Sequence, residues 1–182
     1  NMLDMSGITI RASERGEDEP IIMAGGPCAY NPEPLYDIVD FFEIGEGEEM
    51  MNDVLEVYAR HKANGKVNKK EFLREISKIG GIYVPSLYDV TYNEDGTIKE
   101  FKPKYEDVPA KIKKRIVNDF DSVAFPDEMI VPYTEIVHDR VVLETARGCT
   151  NGCRFCQAGM IYRPVREKTT NTLLEQARRA LK

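Results

Sequence analysis

The chain has 182 residues and a formal charge of −6, from 25 Lys and Arg against 31 Asp and Glu, with 42% hydrophobic residues and no Trp. That is an ordinary globular composition. It argues against a module that coats nucleic acid, and no apolar run nears the ~18–20 residues a membrane span needs. The opening "NMLDMSGITIRASERGEDEP" has neither the basic nor the apolar region of a secretory signal. The four cysteines are therefore expected to be reduced and the chain cytoplasmic.

In chain order, "PIIMAGGP" (20–27) is an apolar run ended by a Gly pair and predicts a buried strand with its exit turn. "NPEPLYDIV" (31–39) opens with Asn and Pro, a helix-start signature. "DFFEIGEGE" (40–48) predicts a second short strand. The following "EEMMNDVLEVYARHKANG" predicts an amphipathic helix with Met51, Val54, Leu55 and Tyr58 on its apolar stripe. Its acids come early, Arg60, His61 and Lys62 come late, and Gly65 closes it. Strand, helix, strand, helix implies parallel strands joined by crossovers. The fold class expected is α/β, with residues 1–65 forming the closing half of a doubly wound domain.

Residues 66–139 read as an inter-domain connector. It holds a helix over 69–79 that ends at Gly80-Gly81, and a β-hairpin over 88–103 about Asp95-Gly96. Residues 140–182 begin with a buried strand over 140–145, pass through a cysteine-bearing loop, and continue as a helix opened by Thr. The last helix has no stop signal, and two parallel strands bury too little surface to stand alone. Both ends are therefore expected to be cuts from a longer protein.

Three of the four cysteines fall within eight residues, Cys149, Cys153 and Cys156. Structural zinc takes four ligands, and a conventional ferredoxin cluster uses four cysteines at another spacing. A redox CxxC pair would use Cys153 and Cys156 and leave Cys149 unexplained. Three thiolates on a short, turn-rich loop (Gly148, Thr150, Asn151, Gly152) suit a [4Fe–4S] cluster with one iron left open. The bland alternative is a zinc knuckle completed by Cys28 or His138, a non-enzymatic interaction module.

The CxxxCxFC pattern resembles the signature of radical S-adenosylmethionine (SAM) enzymes. The surrounding "ARGC…CRFCQAG…RPVR" and "MAGGPCAYNPEP…VDFFEIGEGE" resemble the branch with a cobalamin-binding-type (flavodoxin-like) domain ahead of the radical SAM partial TIM barrel. The resemblance implies that Cys149, Cys153 and Cys156 bind the cluster, and that the open iron chelates SAM for reductive cleavage to a 5′-deoxyadenosyl radical. It implies that Phe155 packs beside the adenine, that Gly25 and Gly26 admit the cobalamin tail, and that Arg163 and Arg166 face cofactor or substrate. It also implies an electron donor such as flavodoxin or ferredoxin, and a substrate that is RNA, protein or a small molecule. A methylthiotransferase of the same radical machinery is the second enzymatic reading, with Cys28 as a ligand of a further cluster. The fragment alone is expected to be inactive, because a barrel needs far more than ~40 residues.

The remaining polar residues carry plainer expectations. Glu46 and Glu48 are read as charges near a helix N-terminus, His61 and His138 as surface or linker residues, and Met50-Met51 as core. The hairpin is read as packing between domains.

Overall fold

The computed structural model describes residues 1–63, 65–126, 132–135, 137 and 140–181. His138 lies outside the described residues. The chain divides into two compact units, Asn1–Ile116 and Val117–Lys182.

The first unit opens with a single helical turn, α1 (Met2–Met5), and carries a three-stranded sheet of β1 (Met23–Ala24), β2 (Phe41–Glu43) and β3 (Ile82–Tyr83). β1 and β2 are parallel, with Met23 opposite Phe41 and Ala24 opposite Phe42, whereas β3 is antiparallel to β2. The α/β class therefore holds, but the sheet is mixed and its strands are only two or three residues long. The run expected to be a helix over 31–39 forms only the 3-10 turn Glu33–Leu35, and another such turn, Pro27–Tyr30, precedes it. Prolines at 27, 32 and 34 explain this: each removes a backbone donor and restricts the residue before it.

α2 (Gly47–Ala63) follows β2, with Glu48 and Glu49 in its first turn and Arg60, His61 and Lys62 in its last, as the helix dipole favours. Its buried face is Met50, Val54 and Val57. Leu55 is more than half exposed and Tyr58 borders on exposed, so the stripe is rotated by about one residue from the expected one. The apolar residues come as adjacent pairs, Met50-Met51, Val54-Leu55 and Val57-Tyr58, so the pattern fits either member facing the core. Gly65 has φ +114°, which suits the expected helix exit.

α3 (Lys69–Ile76) is capped by Asn68, whose side-chain oxygen accepts from the backbone N–H groups of Lys70 and Glu71. It contributes Phe72, Leu73 and Ile76 to the core. The hairpin of β4 (Tyr88–Tyr92) and β5 (Ile98–Pro103) turns at Asp95-Gly96, where Gly96 takes φ +80°. Tyr88 stacks on Phe101 across it, at 4.6 Å between ring centroids. One core joins these elements, with Phe42, Met50, Phe72, Ile76, Ile82 and Val84 at its centre. Helix and hairpin are thus part of the first unit's own packing.

The second unit is small. β6 (Ala146–Arg147) pairs antiparallel with β7 (Arg166–Glu167). The strand expected over 140–145 is not formed; its backbone is irregular up to β6. A single helical turn, α4 (Ala158–Ile161), follows the cysteines. α5 (Thr170–Ala180) is capped by Thr169, which accepts from the Thr172 backbone N–H, as the Thr-rich start predicts. Val117, Phe120 and Val123 form the apolar cluster of this unit.

Candidate cysteine site

The three cysteines occupy the loop between β6 and α4. Cys149 is half-buried and Cys153 and Cys156 are exposed; all are free thiols. Gly148 enters the loop at φ +101°, and a Cβ there would stand 2.7 Å from the Tyr162 carbonyl oxygen and 2.9 Å from that of Pro164. Only glycine supplies both the left-handed backbone and that approach. Gly159, just after the loop, lies equally close to the Asn151 carbonyl, 2.9 Å from its Cβ position. The loop is thus closed at both ends by glycines pressed on backbone, and Cys156 N–H donates to Cys153 C=O at 3.1 Å inside it.

Among the described residues, no three His, Cys, Asp or Glu side chains stand together as a group that could hold a metal. The three thiols share one short loop without being gathered at one point. As a donor set they suit an iron–sulfur cluster: soft, unpaired sulfur ligands, accessible from solvent. Cys28 lies exposed in the first unit, on the 3-10 turn after Gly26.

The other predicted site residues are placed as follows. Phe155 projects into solvent at 93% exposure, with Met160 also exposed nearby on the chain. Arg163 is exposed, and Arg166 is used structurally. Its Nη1 donates to Val117 C=O at 2.8 Å and its Nε to Pro164 C=O at 3.1 Å. Gly26 has φ +85° and nothing near its Cβ position, so its requirement for glycine comes from backbone. Gly25 is closely overlain by Glu43, whose Cβ is 3.6 Å from the Gly25 Cβ position.

Two groups were missed from the sequence. Around Phe120 stand three cations, the guanidinium of Arg147 at 5.0 Å, the ammonium of Lys168 at 5.3 Å and the guanidinium of Arg166 at 5.7 Å from the ring centroid. Arg147 is held by a bidentate pair to Glu144, both bonds 2.8 Å. Lys168 is buried beside the buried Gln176. The second missed group is Glu43, 6% exposed, with Oε1 lacking a hydrogen-bond partner. Burial pushes its carboxyl above the usual carboxylate range. A charged residue inside the apolar run "DFFEI" is the signal that could have found it.

No helix among the described residues is long and apolar enough to cross a membrane. A protein-family model described as "Radical SAM proteins, N-terminal" matches residues 1–85. No curated protein and no solved structure matches the chain. The first 85 residues, just under half of the 182, are therefore similar to the N-terminal region of radical SAM proteins, and the cysteine loop lies outside the matched stretch.

Proposed function

We propose that this chain carries the cluster-binding loop of a radical SAM enzyme behind a cobalamin-binding-type domain. The observation that supports it is the set of three free thiols, Cys149, Cys153 and Cys156, on one glycine-closed loop. They follow a region independently similar to radical SAM proteins. Three residue ranges carry the reading: 1–65 as the end of the cobalamin-type domain, 66–139 as connector and 140–182 as the start of the partial barrel.

When bound, a [4Fe–4S] cluster supplies the electron that cleaves SAM reductively. What the chain itself contributes is more local. Cys149, Cys153 and Cys156 would hold three irons, and Gly148 and Gly159 fix where the loop begins and ends. Phe155, fully solvated here, offers a bare ring face for the adenine. Around Phe120, Arg147 stands on β6, Arg166 on β7 and Lys168 just after it. Arg166 braces Val117 and Pro164 and, by the resemblance, also faces cofactor or substrate. Gly25, Gly26 and Arg163 keep the roles the resemblance implies, toward cobalamin and substrate. The substrate is an RNA, a protein or a small molecule, the electron donor is a flavodoxin or ferredoxin, and the compartment is the cytoplasm.

The test is anaerobic iron–sulfur reconstitution with metal analysis and EPR of the reduced protein, with and without SAM. The expected result is close to four irons per chain, lost on replacing any of the three cysteines by Ala. A single zinc and no cluster would overturn the reading.

A further inference from the structure

We infer that a tyrosine-lined cavity in the first unit is a binding site for an uncharged, planar heterocycle, the base of a nucleoside. The residues lining this cavity all belong to the first unit, whereas the cysteine loop belongs to the second.

The cavity has a volume of about 720 Å³, within the range of small-molecule sites. It lies at the edge where the parallel strands β1 and β2 begin: Val39 and Asp40, which line it, immediately precede β2. The opening segment, α3 and the hairpin supply the rest, so packing over long stretches of chain creates it. Val39, Leu73, Pro85 and Leu87 form a buried apolar wall. Tyr83 and Tyr88 belong to that wall, because their hydroxyls are committed to Glu33 at 2.9 Å and to the Pro109 carbonyl at 2.7 Å.

Three more tyrosines line the cavity and are not committed. Tyr36, Tyr92 and Tyr105 are 49%, 55% and 45% exposed, and none of their hydroxyls makes a hydrogen bond among the described residues. They come from three segments: the exit of the 3-10 turn Glu33–Leu35, the end of β4 and the chain just after β5. Single exposed rings are ordinary; three that open on one cavity make a surface for a flat partner. Tyr105 already holds one, since the planar guanidinium of Arg74 lies 4.4 Å from its ring centroid.

Charge restricts what that partner is. Among the described residues, five cations and five carboxylates line the cavity. The most buried of them satisfy one another, with Asp40 paired to both Arg15 and Lys69, while Arg74 is held by Asp107 at 2.8 Å. The lining therefore has no net charge to recruit an ion. It offers ring faces, and hydroxyls that both donate and accept. A nucleobase matches both, stacking on aromatic rings and carrying donors and acceptors along its edge. An aliphatic ligand would leave the faces unstacked, and a phenyl ring would leave the hydroxyls unpaired.

The test is isothermal titration calorimetry of the 182-residue chain with adenosine, guanosine, cytidine and uridine. Saturable binding of at least one nucleoside is expected, unchanged within about twofold between low and high salt and no tighter for its 5′-monophosphate. Tyr36→Ala and Tyr92→Ala should each lose about fivefold or more in affinity. Tyr36→Phe and Tyr92→Phe keep the ring and should lose at most about threefold. No saturable binding of any nucleoside overturns the inference, as does full affinity in both Ala variants. Binding of the monophosphate about tenfold tighter would make this an anion site and overturn the uncharged class. Should an Ala variant not fold, NOEs between base protons and tyrosine ring protons in the wild type take its place, and their absence overturns the inference.

Discussion

Asp40 and Arg15, 25 residues apart, form an ion pair sealed inside the first unit, with side-chain exposures of 2% and 0%. The Arg15 guanidinium also donates to the carbonyls of Thr9, Ile10 and Ile38, which ties the opening segment to the sheet. Asp40 further accepts from the Ile22 backbone N–H at 2.7 Å and pairs with Lys69 at 2.7 Å. One carboxylate thus serves a buried guanidinium, a half-buried ammonium and a strand end.

Removing that carboxylate leaves both cations uncompensated. Asp40→Ala is expected to cost about 3–5 kcal/mol, read as a lower denaturation midpoint in urea. A change below about 1 kcal/mol would mean that the pair is solvated in solution.

Gly45 and Gly96 both have positive φ but differ in surroundings. A Cβ at Gly45 would clash with the Arg115 carbonyl oxygen and lie 2.5 Å from its backbone nitrogen, whereas Gly96 faces open space. Gly45→Ala should cost about 3 kcal/mol or more, because backbone must move, and Gly96→Ala only about 1 kcal/mol. Equal losses in thermal unfolding would refute the close approach of Gly45 to Arg115.

Glu43 gives a pH signature in stability. Its folded-state carboxyl is raised above the ordinary 4.5 by burial. Stability from the neutral form is present in full below that value and lost as pH rises through the raised one. The Tm of Glu43→Gln relative to wild type should accordingly climb as pH rises upward from 4.5. A difference that stays flat over that range would show that Glu43 titrates normally.

Asn68 caps α3 through two backbone N–H groups, at 3.1 and 3.2 Å. Asn68→Ala should cost about 1 kcal/mol and Asn68→Asp very little. Chemical denaturation of the pair separates the cap from any loss of general packing.

The sequence was most legible where local chemistry decides structure. The Asp95-Gly96 hairpin, the Thr169 cap and the acid-to-base order along α2 follow from turn geometry, capping and the dipole, all of which act over a few residues. The helix expected over 31–39 shrinks to the 3-10 turn Glu33–Leu35 because Asn31-Pro32 marks a helix start, while Pro34 removes a further backbone donor and restricts Glu33. The three thiols were legible as a motif, since their spacing is a property of the chain itself. Their flanking supports were not: Gly148 and Gly159 press on backbone that only the folded loop brings near.

By itself, then, the sequence determined the α/β class, the hairpin, the long helices and the presence of three clustered thiols, because each depends on neighbours within about one or two turns of chain. Only the tertiary structure decided that β3 runs antiparallel, that α2 buries Val57 in place of Leu55, that Asp40 pairs with both Arg15 and Lys69, and that Glu43 Oε1 is buried without a hydrogen-bond partner. Those outcomes depend on which distant groups meet and which lose their water, and residue spacing along the chain carries neither quantity.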